Sequence, residues 1–136
     1  MAEANSKPVF SCEIPVRWGD MDAFGHVNNT IYFRYIEEAR FQWMLAAGIP
    51  IGGDNYPVVV QVGATFLRPV FHPETIRVDC YISQPGRSSF MVDYKLYTSA
   101  DPHNPTAECF SKVVWVDSRT GHSTPLPEKV RAWFDG

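Results

Sequence analysis

The sequence predicts an α+β protein in which an antiparallel sheet wraps around one long helix. Two observations carry this. Apolar side chains in residues 30–47 recur with the period of a helix, and the runs after Pro57 alternate with period two. One more extended stretch precedes the helix, so the order is strand, loop, helix, then four antiparallel strands. A chain of 136 residues and 15.4 kDa has the length of one domain, taken as residues 1–136 with a flexible polar arm at 1–7.

Residues 9–18 read as extended, with Pro15 marking an edge strand or a bulge. Residues 19–29 gather two glycines, two aspartates and two asparagines, the composition of a loop. In the helix, Ile31, Tyr32, Tyr35, Ile36, Ala39, Trp43, Ala46 and Ala47 form one face. Arg34, Glu37, Glu38, Arg40 and Gln42 fall largely opposite. Phe33, Phe41 and Met44 widen the apolar arc, so the helix is expected to be covered on most sides. Asn28 or Asn29 supplies the N-cap and Gly48 the stop, with Pro50 just beyond. Strands are expected at 58–66, 75–82, 90–97 and 106–116, separated by turns at Arg68-Pro69, Gln84-Pro85-Gly86 and residues 101–105. A short helix at 128–134 closes the chain.

Composition narrows the function. A net charge of -3 and a pI near 5.7 argue against a nucleic-acid partner. Cys12, Cys80 and Cys109 lie far apart, without zinc spacing, and such sparse cysteine suits a reducing compartment. No secretory signal and no membrane-length apolar run are present, so a cytoplasmic protein without a membrane partner is expected. The motifs of serine hydrolases, P-loop proteins, dinucleotide-binding folds and HExxH zinc enzymes are missing. His26, His72, His103 and His122 share no ligand spacing, so no metal is expected.

The loop before the helix is where chemistry could sit. The first N–H groups of a helix attract developing negative charge, and a carboxylate beside them can act as base or nucleophile. Asp22, His26 and the N–H groups around residues 28–30 form such a set. The same residue types also serve as turn formers and caps.

Residues 16–32, Val-Arg-Trp-Gly-Asp-Met-Asp-Ala-Phe-Gly-His-Val-Asn-Asn-Thr-Ile-Tyr, resemble the opening motif of hotdog-fold thioesterases. The groups in view are the 4-hydroxybenzoyl-CoA thioesterase family and the related acyl-CoA and acyl-carrier-protein thioesterases. Residues 66–70 and the run Gly86-Arg87-Ser88-Ser89-Phe90 support the resemblance, which covers nearly the whole chain. It implies a hotdog fold: a five-stranded antiparallel sheet wrapped around one long central helix. It also implies a homodimer, possibly a dimer of dimers, with the site at the interface between protomers. The substrate would be an acyl-CoA, or an acyl group on acyl carrier protein, hydrolysed without a cofactor.

On the same resemblance, Asp22 matches the catalytic carboxylate. It would attack the thioester carbonyl or activate a water that does, while the helix N-terminus near Asn29 polarises the thioester oxygen. His26 matches the histidine of the acyl-carrier-protein enzymes, either as acid/base partner or as a residue that orients Asp22 or bonds a loop carbonyl. Those enzymes carry an Asn where this chain has Phe24. Asp20 matches a loop-bracing residue. Asn28 and Asn29 divide between capping and substrate contact. Arg87, with Ser88 and Ser89, lies where CoA phosphates are expected, and Arg68 and Lys112 are further basic candidates. Phe24, Phe33 and Met44 are candidates to line an acyl pocket. Two other readings share the fold. A hydratase or dehydratase would favour an Asp followed five residues later by His with an Asn between, whereas here the spacing is four with no Asn between. A non-catalytic acyl-thioester binding protein would bind without turnover.

Overall fold

The computed structural model describes residues 7–135, so most of the expected N-terminal arm, residues 1–6, lies outside the described residues. Strand β1 spans Phe10–Pro15 and is followed by a 3-10 turn at Trp18–Asp20. Helix α1 spans Ile31–Ala46, then come β2 (Asn55–Phe66), β3 (Thr75–Ser83), β4 (Ser89–Thr98) and β5 (Ala107–Asp117). The strands form one five-stranded sheet in the order β1-β3-β4-β5-β2, antiparallel at every pairing. This is the hotdog architecture.

The helix is short rather than long. Its 16 residues reach about 24 Å at 1.5 Å per residue. Gly48, at φ 77, ends it: the Gly48 N–H donates to Leu45 O at 3.1 Å and the Ile49 N–H to Met44 O at 2.9 Å. These two bonds are the Schellman closure, which needs a left-handed residue where the glycine stands. Tyr32, Tyr35, Ile36, Ala39 and Trp43 are buried on the face read from the sequence. They meet Val78, Cys80, Val92, Leu96, Val113 and Trp115 of the sheet. Each large apolar side chain so buried stabilises the fold by about 1.5–3 kcal/mol. The far side of the helix is left uncovered, and Phe41 stays 52% exposed.

Strand β2 departs most from expectation. It starts at Asn55, before Pro57, and pairs with β5 and not with β3, which follows it in sequence. Proline is tolerated because β2 is an edge strand. The connection back to β3 carries Pro69 and Pro73 and is pinned by Leu67 and Arg68 N–H bonds to Thr106 O. The register shifts between Val59 and Gln61, which breaks the expected alternation. Val60 is 58% and Val62 46% exposed, although both fall in the apolar phase of the period-two run that starts at Val58. Gly63 fits under Phe110 of β5, because a Cβ there would fall 2.3 Å from the ring. The C-terminal helix is a single α turn, Glu128–Arg131, followed by a 3-10 turn, Ala132–Phe134. No helix among the described residues is long and apolar enough to cross a membrane.

Candidate active site

The loop between β1 and α1 is a tight hairpin closed by the Met21–Val27 bridge. Asp22 starts a turn in which its carbonyl accepts the Gly25 N–H at 3.0 Å. Gly25 sits at φ 86, a conformation that side chains rarely adopt. The hairpin is docked from three sides: Val27 N–H donates to Val70 O at 2.8 Å, Asn28 N–H to Asp20 O at 3.1 Å, and Tyr35 Oη to the Asp20 carboxylate at 2.8 Å. Asp20 also accepts the Arg17 N–H at 3.0 Å. It therefore braces the loop against the helix.

Both carboxylate oxygens of Asp22 are held. Oδ1 accepts the Phe24 N–H at 2.9 Å, and Oδ2 accepts Asn28 Nδ2–H at 2.9 Å. The Asn28 bond, then the Phe24 N–H, hold this carboxyl below the usual aspartate range. Asn28 also caps the helix entry, since its Oδ1 accepts the Thr30 N–H at 2.9 Å and the Thr30 hydroxyl at 2.6 Å. Thr30 itself caps nothing. Of the two Asn candidates, Asn28 takes the capping role, and it clamps Asp22 with its other end.

The N–H groups of Thr30, Ile31 and Tyr32 are spent on Asn28 Oδ1, Asn28 O and Asn29 O. Among the described residues the Asn29 N–H has no hydrogen-bond partner. It stands at the helix N-terminus, adjacent in sequence to the residue that holds Asp22, and its side chain is exposed. His26 is half-buried, with Nδ1 3.4 Å from Val27 O and its ring edge-on to Phe71. The hydrogen bonds place it on a loop carbonyl and not on the Asp22 carboxylate. The ring of Phe24 is 85% exposed.

The other expected contacts sit elsewhere. Arg87 is exposed in the β3–β4 turn, its Nη1 donating to Ser88 Oγ at 3.0 Å. Ser89 begins β4, and its carbonyl accepts the Gly86 N–H at 2.7 Å. Sequence reasoning missed the support of this turn. Arg131 Nη2 donates to the carbonyls of Gly86 at 2.6 Å and Arg87 at 3.2 Å, and the Leu126 N–H donates to Arg87 O. No local pattern signals a contact 44 or 45 residues away. Arg68 donates to Pro105 O at 2.7 Å, while Lys112 is exposed on β5. Burial raises the Cys12 thiol to about 11 and the Cys109 thiol to about 12, and it also raises Cys80, so none is an activated nucleophile.

Two clefts open beside α1. One, of about 480 Å³, lies between the end of β1, Arg17, Asp20 and the helix. The other, of about 650 Å³, lies between the C-terminal half of α1 and the start of β2, and Met44 lines it. Phe33 packs instead against the core.

The family model of the thioesterase-like superfamily matches residues 16–134. Among characterised relatives, 1,4-dihydroxy-2-naphthoyl-CoA hydrolase of Synechococcus elongatus is 27% identical over 125 residues, covering 88% of this chain and 90% of its own. The long-chain acyl-CoA thioesterase FadM of Escherichia coli is 26% identical over 128 residues, covering 88% and 92%. Among solved structures, the PA2801 protein of Pseudomonas aeruginosa, a candidate thioesterase, superposes with a TM-score of 0.89 at 44% identity, covering 93% of this chain and 98% of its own. The match runs from the residue after β1 through the C-terminal turn, and the fold agrees with it throughout: the chain belongs to the thioesterase-like superfamily and is a hotdog-fold thioester hydrolase.

Proposed function

We propose that the protein hydrolyses an acyl-CoA thioester to the free acid and CoA, with Asp22 as the reacting carboxylate and the Asn29 N–H as the oxyanion donor. The observation that carries this is the pairing of an ionised, doubly held carboxylate with an unspent N–H at the start of a helix. One oxyanion donor is worth about 3–4 kcal/mol of barrier. Asp22 either attacks the carbonyl carbon or activates a water that does, and the hydrogen bonds that lower its pKa keep it ionised for both roles. Attack would form a mixed anhydride and expel the CoA thiolate, and water would then cleave the anhydride.

His26 supports the loop through its carbonyl contact in this reading. Arg87, Ser88 and Ser89 would meet the CoA phosphates, from a turn held by Arg131. The working unit is a homodimer. Support comes from β2, a twelve-residue edge strand with Val59, Val60 and Val62 exposed, and such an edge invites a second copy. The Phe66 end of β2 lies at the helix start, its ring 4.9 Å from that of Tyr32, and the Tyr56 end lies at the second cleft. Antiparallel pairing of two β2 strands would therefore bring the Asp22 loop of one protomer to the second cleft of the other. Buried, unpaired thiols at Cys80 and Cys109 suit a reducing cytoplasm.

Thiol release from short, long and aromatic acyl-CoAs tests the proposal, with acyl carrier protein esters as a second panel. Release from CoA esters is expected. Release only from carrier-protein esters would replace the substrate, and tight binding without release would replace the enzyme with a binding protein.

A further inference from the structure

The second cleft is lined mostly by apolar residues, among them Met44, Ile49, Tyr56, Val58 and Val113, together with two charged ones, Arg40 and Glu37. Arg40 is half-buried, and its Nη1 donates to Tyr94 Oη at 3.1 Å. That hydroxyl is fully buried on the inner face of β4 and shares a 2.6 Å bond with Ser111 of β5. The guanidinium is thus drawn under the helix toward the sheet and held in one orientation. Tyr94 uses one of its five N–H donors.

No carboxylate among the described residues pairs with Arg40. Glu37, which lines the same cleft, is engaged by Arg34 at 3.1 Å, and Glu38 accepts from Gln42. A cation held in an apolar cleft without a counter-charge is costly unless a partner arrives with the ligand. Its remaining donors form the fork that matches a carboxylate. An all-hydrocarbon acyl chain would leave them unmatched.

We infer that this cleft receives the acyl part of the substrate and that Arg40 selects acyl groups carrying a carboxylate at the far end. The substrate class is then a CoA thioester of a dicarboxylic acid, aliphatic or aryl. The inference rests on the thioesterase reading and makes Arg40 a specificity residue remote from the reacting atoms.

The test pairs acyl-CoAs of equal length with and without a terminal carboxylate, adipyl against hexanoyl and 4-carboxybenzoyl against 4-methylbenzoyl. Wild type, Arg40→Met and Arg40→Lys are compared. Arg40→Met keeps the bulk of the stem and leaves the Tyr94–Ser111 bond in place. Wild type should favour the carboxylate member in kcat/KM by about 10- to 100-fold. Arg40→Met should lose that preference, chiefly through a lower kcat/KM for the carboxylate member, and Arg40→Lys should restore part of it. Equal preference in wild type and Arg40→Met, or a wild-type preference for the neutral member, would overturn the inference. Binding of the matching non-hydrolysable thioethers separates it from the catalytic reading. Carboxylate-dependent binding that vanishes in Arg40→Met supports the cleft even without turnover, and binding indifferent to the carboxylate rejects it.

Discussion

Asn28 joins Asp22 to the start of the helix: its Nδ2 donates to Asp22 Oδ2 at 2.9 Å while its Oδ1 accepts the Thr30 N–H at 2.9 Å. One side chain therefore fixes both the carboxylate and the helix end whose Asn29 N–H is unspent. Asn28→Ala should lower stability by about 0.5–2 kcal/mol through the lost cap. It should also raise the Asp22 pKa, moving the acid limb of the rate profile upward. Asn28→Asp keeps an acceptor for Thr30 but sets a second carboxylate against Asp22, so it should move the limb further. Urea unfolding and pH–rate profiles on both variants check this. An unmoved limb would show that Asn28 does not control Asp22.

Acid should weaken the fold in a defined window. Asp22, Asp101 and Asp117 all lie below the ordinary value of 3.8, held there chiefly by the Asn28 side chain, the Asn104 side chain and the Arg119 N–H respectively. Their folded values lie below their unfolded ones, so their contribution is present above 3.8 and is lost as pH falls through the folded values. Melting temperatures of wild type and Asp117→Asn should differ at about pH 6, and the gap should narrow as pH falls below 3.8. A gap that persists in acid would mean that Asp117 acts through packing instead of charge.

Arg87 offers a test of how CoA is held. Arg87→Ala should raise KM for CoA esters by about three- to tenfold and leave a truncated thioester without the nucleotide unaffected. Arg131→Met, which frees the turn carbonyls, should produce a weaker effect of the same kind. Equal losses on both esters would remove the turn from CoA binding.

The β2 edge carries the dimer proposal. Val60 and Val62 are exposed in the protomer, so Val60→Lys with Val62→Lys should leave its fold intact. Sedimentation should show a monomer where wild type is a dimer, and thiol release should fall with the loss of dimer. A fully active monomer would place the whole site within one chain.

Much of this was legible in the residues. The helix face from Tyr32 to Trp43 and the alternation of β4 survive because both are buried against one core, and burial imposes the period, whereas β3 alternates only as far as Val78, with Asp79 and Tyr81 buried alongside Cys80. In β2 the period-two run does not report the core at Val60 and Val62. The bulge and the open edge leave them in solvent, and a run of valines does not say which surface it serves. The Asp22 loop announced itself by its turn residues, but the clamp from Asn28 depends on hairpin geometry that no spacing encodes. Arg40 read as part of the polar face, since nothing local reveals the buried Tyr94 hydroxyl that draws it inward.

The most direct measurement is thiol release from an accepted acyl-CoA by wild type and Asp22→Asn side by side, with circular dichroism to verify the fold of each. The account predicts a turnover loss of about 10²–10⁴-fold or more in a variant that folds like wild type. An Asp22→Asn variant that is folded and turns over at the wild-type rate would contradict it.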